Sequence, residues 1–249
     1  MSPPPDGWTE HGIRLSHFCN RAAAAVQDLS NRISAHDECA TVTGSPIRQL
    51  ETTMPRIAPR ERTELGDFEA LFKGVEGAMG FVPNSFYTFA HWPELMQSFA
   101  GFAGTVLGPG TIDPGLKQLI AFMSSNASGC RYCQAHTSHS AEKRGVDGDK
   151  IAAVFEYETS PIFTPAERAA LRVAARAGSV PNDVEDEDFD ELRKHYSERE
   201  IVEIVAVISL FGFLNRWNDT VATELEASPL RFAGAHLAAH GWQPGKHAS

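Results

Sequence analysis

The sequence predicts an all-α fold on three observations. Capping residues recur just ahead of apolar runs, the apolar residues in those runs repeat at helical spacing, and no run alternates β-branched with polar residues as a strand would. The helical pattern begins near Asp67. Ahead of it, residues 1–53 open on Ser2-Pro3-Pro4-Pro5-Asp6-Gly7 and pass through a Ser, Thr and Gly-containing stretch over 41–45. They read as a poorly ordered extension with at most one short helix, over 21–32, and removing them is expected to leave helicity and melting temperature unchanged. Residues 54–249, starting Met54-Pro55-Arg56-Ile57, form the predicted helical domain.

Within that domain the caps mark the helices. Asp113 caps free N–H groups while Pro114 takes the first helical position, and Leu116, Leu119, Ile120 and Met123 follow as one apolar stripe. Gly129 closes that helix, and a second runs over about 130–144 until Gly145 stops it. Thr164 with Glu167, and Ser197 with Glu200, have the spacing of capping boxes. The second box launches the apolar run 201–214, which predicts a central helix buried on several sides. The acidic run over 184–191 reads as a solvated loop and helix start.

A faint internal repeat aligns Gln118-Leu-Ile-Ala-Phe-Met-Ser124 with Glu203-Ile-Val-Ala-Val-Ile-Ser209, which suggests pseudo-repeats over 90–150 and 165–230. In the same register Asn215 and Asn218 stand where the first copy has Cys130 and Cys133. Chance similarity between two buried helices explains it equally well.

Composition narrows the function classes. A net charge of -10 and a pI near 5.4, with scattered Lys and Arg, argue against nucleic acid and anionic membrane as partners. No stretch approaches the roughly 18 apolar residues that cross a bilayer, and the N-terminus lacks a basic region followed by an apolar one, so a soluble, cytoplasmic protein is expected. Four cysteines are too few to be a disulfide scaffold. Cys19 and Cys39 receive no role.

The segment Cys130-Arg131-Tyr132-Cys133-Gln134-Ala135-His136 carries the chemistry. A thiolate, not a thiol, attacks peroxides and disulfides, and a helix N-terminus or a nearby base lowers a cysteine pKa. Both devices are at hand: the pair opens a helix after Gly129, and His136 lies one turn beyond Cys133, placed to take its proton. The i, i+3 spacing also lets one sulfur capture the other once it is oxidised. Zinc on Cys130, Cys133, His136 and His139 is disfavoured, because four ligands on one helix do not converge into a tetrahedron. A buried structural pair is disfavoured by the polar flank of Arg131, Gln134 and His136. His139 reads as a solvated helix residue, and Asn215, Arg216, Asn218 and Asp219 as braces of their helix.

At these residues the chain resembles the AhpD-like, carboxymuconolactone decarboxylase superfamily, in its peroxidase-related, alkylhydroperoxidase branch. The resemblance runs from Met54 onward and includes Gly80-Phe-Val-Pro-Asn84, Ser125-Asn-Ala-Ser-Gly-Cys130, Phe211-Gly-Phe-Leu-Asn-Arg216 and Gly241-Trp-Gln-Pro-Gly-Lys-His247. It implies an AhpD-like helical bundle, a homo-oligomer, and thiol peroxidase or disulfide reductase chemistry on a small hydroperoxide or disulfide. It also implies that Cys133 attacks and Cys130 resolves, with a thiol reductant restoring the pair. Three positions depart from the family's pattern. Its relay glutamate, twelve residues before the first cysteine, is Gln118, which cannot exchange a proton; Tyr132 stands between the cysteines; and the usual histidine four residues after Cys133 is Thr137.

The sequence-based expectation is therefore catalysis by Cys133, Cys130 and His136, with Gln118 at the altered relay site and no metal or organic cofactor. The rivals are an acid–base enzyme of the carboxymuconolactone decarboxylase kind and a non-catalytic redox sensor or assembly subunit.

Overall fold

The computed structural model describes residues 55–248. The expected N-terminal extension, its short helix, Cys19 and Cys39 lie outside the described residues. Among the described residues ten α-helices follow one another: α1 (Glu69–Met79), α2 (Asn84–Phe89), α3 (Pro93–Leu107), α4 (Pro114–Ala127), α5 (Arg131–Lys143), α6 (Gly148–Ala152), α7 (Pro165–Gly178), α8 (Asp186–Arg193), α9 (Glu198–Val221) and α10 (Ala227–His236). No strand occurs among the described residues. The fold is all-α, as the caps predict. The Asp113 carboxylate accepts the Leu116 N–H at 2.9 Å, and both capping boxes, Thr164/Glu167 and Ser197/Glu200, are closed.

α4 is the central helix, packed on α5, α7 and α9. Its apolar stripe is one face of an element buried all round: every residue over 115–125 is enclosed, including Lys117 and Gln118. Lys117 is tolerated there because its Nζ donates to the carbonyls of Val106 at 2.9 Å and Gly108 at 3.1 Å and lies 3.3 Å from the Glu203 carboxylate. α7 approaches closely because it ends in Gly178, where a Cβ would stand 2.6 Å from the Ser124 carbonyl oxygen.

Two expectations need correction. The apolar run on α9 is not buried on several sides: Ile201, Ile204, Val207 and Leu210 are buried, but Val202, Val205 and Phe213 are exposed. Composition alone could not distinguish the central helix from one flanking it. In the acidic run Asp188 is buried, because its carboxylate accepts from Arg176 at 2.8 Å and closes a capping box with Glu185.

The α4–α5 junction positions the chemistry. Gly129 adopts φ 76°, which glycine alone takes without strain. The Gly129 N–H then donates to the Asn126 carbonyl and the Cys130 N–H to the Ser125 carbonyl, each at 3.1 Å. This is the double closure of a Schellman motif. Cys130 thus finishes one helix and caps the next, its own carbonyl accepting the Gln134 N–H at 3.1 Å.

Candidate active site

Cys130 and Cys133 are both free thiols and both fully buried. Their polar flank is not exposed as its composition suggested, since Gln134 and His136 are buried with them. A thiol hydrogen bond from Cys133 lowers the Cys130 pKa below its ordinary value; burial opposes the shift, and the N–H groups of Cys133 and Tyr132 at the start of α5 reinforce it. Burial and the adjoining Cys130 sulfur push Cys133 well above the usual thiol range, against a smaller opposing effect from Asn218. Of the two thiols, Cys130 is therefore the one that loses its proton more readily.

His136 is paired with a carboxylate. Its Nε2 lies 2.5 Å from Oε2 of Glu226, the residue that precedes α10. Glu226 Oε1 accepts the Tyr132 hydroxyl at 2.9 Å and the Asn84 N–H at 2.5 Å. The Asn84 side chain in turn donates to the Glu224 carbonyl at 2.9 Å, which fixes the loop bearing Glu226. Burial would raise the Glu226 pKa, but His136 and the Asn84 N–H outweigh it and hold the carboxyl below its usual value. Burial and the Glu226 charge keep Tyr132 protonated, and its ring stacks on His136 at 4.3 Å.

A cavity of about 540 Å³ opens over Cys133. Phe86, Phe99, Leu107, Phe211 and Leu214 form much of its wall, and Cys133, His136, Gln118 and Asn218 supply polar groups. Gln118, at the altered relay site, is buried and faces this space with Cys133. His139, expected to be solvated, is buried instead between the rings of Phe81 and Phe232, because α10 packs on α5.

Of the polar residues at the end of α9, Asn218 does more than brace the helix. Its Oδ1 accepts the Thr223 hydroxyl at 2.8 Å, which turns its Nδ2 toward Cys133 Sγ at 3.6 Å. Arg216 is a surface residue whose side chain donates to the Gly212 carbonyl at 3.0 Å. Asp219 pairs with Lys246 at 2.8 Å and faces His247, a buried imidazole near Cys130. The ligand atoms of Cys130, Asp219 and His247 lie within 4.8 Å of one another.

The sequence reading brought Cys130, Cys133, His136 and Gln118 to one place and missed Glu226 and His247. Glu226 lies 90 residues from His136, and nothing near it in the chain signals a carboxylate partner. His247 closes the Gly241–His247 segment that carries part of the family resemblance, but no spacing rule links it to Cys130.

The carboxymuconolactone decarboxylase family model matches residues 93–176, from α3 to near the end of α7. The uncharacterized protein YdfG of Bacillus subtilis is 31% identical over 104 residues, which span 41% of this chain and 68% of YdfG. A cysteine-to-alanine variant of the debrominase Bmp8, solved in complex with 2,3,4-tribromopyrrole, superposes with a TM-score of 0.70 at 36% identity, covering 74% of this chain and 99% of Bmp8. An alkylhydroperoxidase AhpD core, an uncharacterized peroxidase-related protein from Ralstonia eutropha JMP134, gives a TM-score of 0.64 at 25% identity over 72% of this chain and 95% of that one. By fold and by sequence, this chain belongs to the AhpD-like, carboxymuconolactone decarboxylase superfamily.

Proposed function

We propose that the protein is a dithiol-dependent reductase of small apolar organic substrates, acting as an alkylhydroperoxidase. The observation that carries this reading is Cys133 in the wall of a largely apolar cavity with a second thiol, Cys130, hydrogen-bonded behind it. A cavity of about 540 Å³ is in the range that holds an organic ligand and is far larger than hydrogen peroxide needs. The Cys133 sulfur attacks the terminal peroxide oxygen of ROOH, giving ROH and a Cys133 sulfenic acid. His136, oriented through Nε2 by ionised Glu226, takes the thiol proton and returns it to the departing alkoxide. Cys130 then displaces water from the sulfenic acid and forms the disulfide, which an external dithiol reduces with two electrons and two protons.

A second reading is reductive dehalogenation. Identity to the debrominase Bmp8, 36%, exceeds the 25% shared with the peroxidase-related Ralstonia protein, and an apolar cavity suits a haloaromatic ring. The balance is the same: an aryl bromide and two thiols give the arene, bromide, a proton and a disulfide.

The test is turnover of cumene hydroperoxide and of 2,3,4-tribromopyrrole with dithiothreitol as reductant, following alcohol and bromide release. Peroxide reduction that disappears in Cys133→Ser and in Cys130→Ser supports the first reading. Bromide release without peroxide turnover transfers the assignment to the second. Absence of both, with a disulfide that forms once and stalls, identifies a redox sensor. The absence of any helix long and apolar enough to cross a membrane among the described residues is compatible with all three.

A further inference from the structure

We propose that Cys130, Asp219 and His247 form a binding site for a zinc-class divalent cation in the reduced protein, with one coordination position left open. The three come from separate parts of the fold: Cys130 caps α5, Asp219 lies in the last turn of α9, and His247 closes the C-terminal segment. Yet one thiol sulfur, one carboxylate oxygen and one imidazole nitrogen lie within 4.8 Å of one another.

His247 is the residue that points to a ligand. Its Nδ1 lies 2.7 Å from the Thr223 carbonyl, and a carbonyl only accepts, so the ring proton is on Nδ1 and Nε2 carries a lone pair. The residue is 1% exposed, and Nε2 has no hydrogen-bond partner. A buried acceptor left without a donor is uncommon, and an imidazole anchored by a carbonyl on one nitrogen is the arrangement metal-binding histidines take. From Nε2 to Asp219 Oδ1 is 3.7 Å, beyond hydrogen-bond reach but close to the roughly 3.3–3.8 Å between donors that each bind zinc at about 2.0–2.3 Å. Lys246 holds the other carboxylate oxygen, Oδ2, at 2.8 Å and leaves Oδ1 to the site.

The donor set selects the ion. Sulfur with imidazole excludes magnesium and calcium, which take oxygen, and fits zinc or its substitute cobalt. Binding exchanges the Cys130 thiol proton for the metal with no change of oxidation state. It withdraws Cys130 from the disulfide, so the ion and the oxidised pair exclude each other. That consequence for turnover rests on the dithiol reading above, whereas the binding does not.

The test needs no turnover. The reduced full-length protein, in a Cys19→Ser and Cys39→Ser background, is titrated with zinc against a chromophoric chelator and with cobalt by absorbance. One ion per chain is expected, with a thiolate-to-cobalt band that vanishes on oxidation to the disulfide. Asp219→Asn and His247→Gln should each weaken binding by about tenfold or more, and Cys133→Ala should keep it. Asp219 is partly exposed, so its variant tests the site even if the buried His247 change unfolds the tail. Undiminished binding in folded Asp219→Asn or His247→Gln overturns the proposal. So does loss of binding in Cys133→Ala alone, which would place the ion on the two C-x-x-C sulfurs.

Discussion

The carboxylate beside His136 comes from Glu226, whereas α4 carries the neutral Gln118. Glu226 is ionised, nearly buried, and bonded at once to His136, Tyr132 and the Asn84 N–H, so its charge both orients the imidazole and fixes the ring stacked against it. Glu226→Gln keeps the shape and removes the charge. Peroxide turnover should fall by about a hundredfold or more, the range of a lost acid–base group, and the pH–rate profile should change form. A merely structural role would lower melting temperature and leave the profile of the surviving enzyme unchanged. The sequence departure at Gln118 predicts that Gln118→Glu restores a proton carrier. With His136 already served by Glu226, the expectation is instead no gain from Gln118→Glu, checked in the same assay. The pairing of Cys130 with Cys133 was legible in sequence because the two lie three residues apart, and the same spacing placed His136 on the wall of the same cavity. Glu226 was not legible, because the fold alone brings it across from beyond α9.

At the scale of helices, α4 is held by two contacts that act in different ways. Burial disfavours the charged form of Glu203, but the Thr111 and Ile112 N–H groups and Lys117 outweigh it and hold the carboxyl down to about 2. Its folded value lies below the ordinary 4.5, so its stabilising contribution is complete above 4.5 and is lost as pH falls from there toward 2. Acid unfolding of the native protein should show this component and Glu203→Ala should lack it. At neutral pH that variant should be destabilised by about 3–5 kcal/mol, because it leaves the Lys117 charge buried without its counter-ion. The second contact is steric. Gly178→Ala puts a methyl against the Ser124 backbone, 2.6 Å from its carbonyl oxygen, and should cost about 1–3 kcal/mol, read by thermal melting. Helix ends were legible from Asp113, Gly129, Thr164 and Ser197 because capping is local chemistry. Which helix lies at the centre was not, since α4 carries Lys117 and Gln118 among its apolar residues while α9 is the more apolar run and still exposes Val202 and Phe213.

For the whole molecule, the decisive feature is the cavity, which no single segment encodes. Residues from α1, α2, α3, α4, α5 and α9 line it, and on the proposed reading its size limits which substrates reach Cys133. Gly104 on α3 faces this space, and a Cβ added there meets nothing within 4 Å. Gly104→Phe should therefore fill the cavity from its wall without displacing the backbone, and it should raise helix propensity rather than lower it by about 1 kcal/mol or less. The dithiol, His136 and Glu226 are untouched by this change. If bulky substrates bind in the cavity, KM for cumene hydroperoxide should rise by about tenfold or more, the loss expected when 1.4 kcal/mol or more of apolar contact is removed. Hydrogen peroxide, which is small enough to pass a narrowed space, should be reduced at an unchanged rate. Equal losses for both peroxides at unchanged stability would mean that Gly104→Phe blocks the path to Cys133. Equal retention would mean that substrates reach the sulfur by a route other than this cavity.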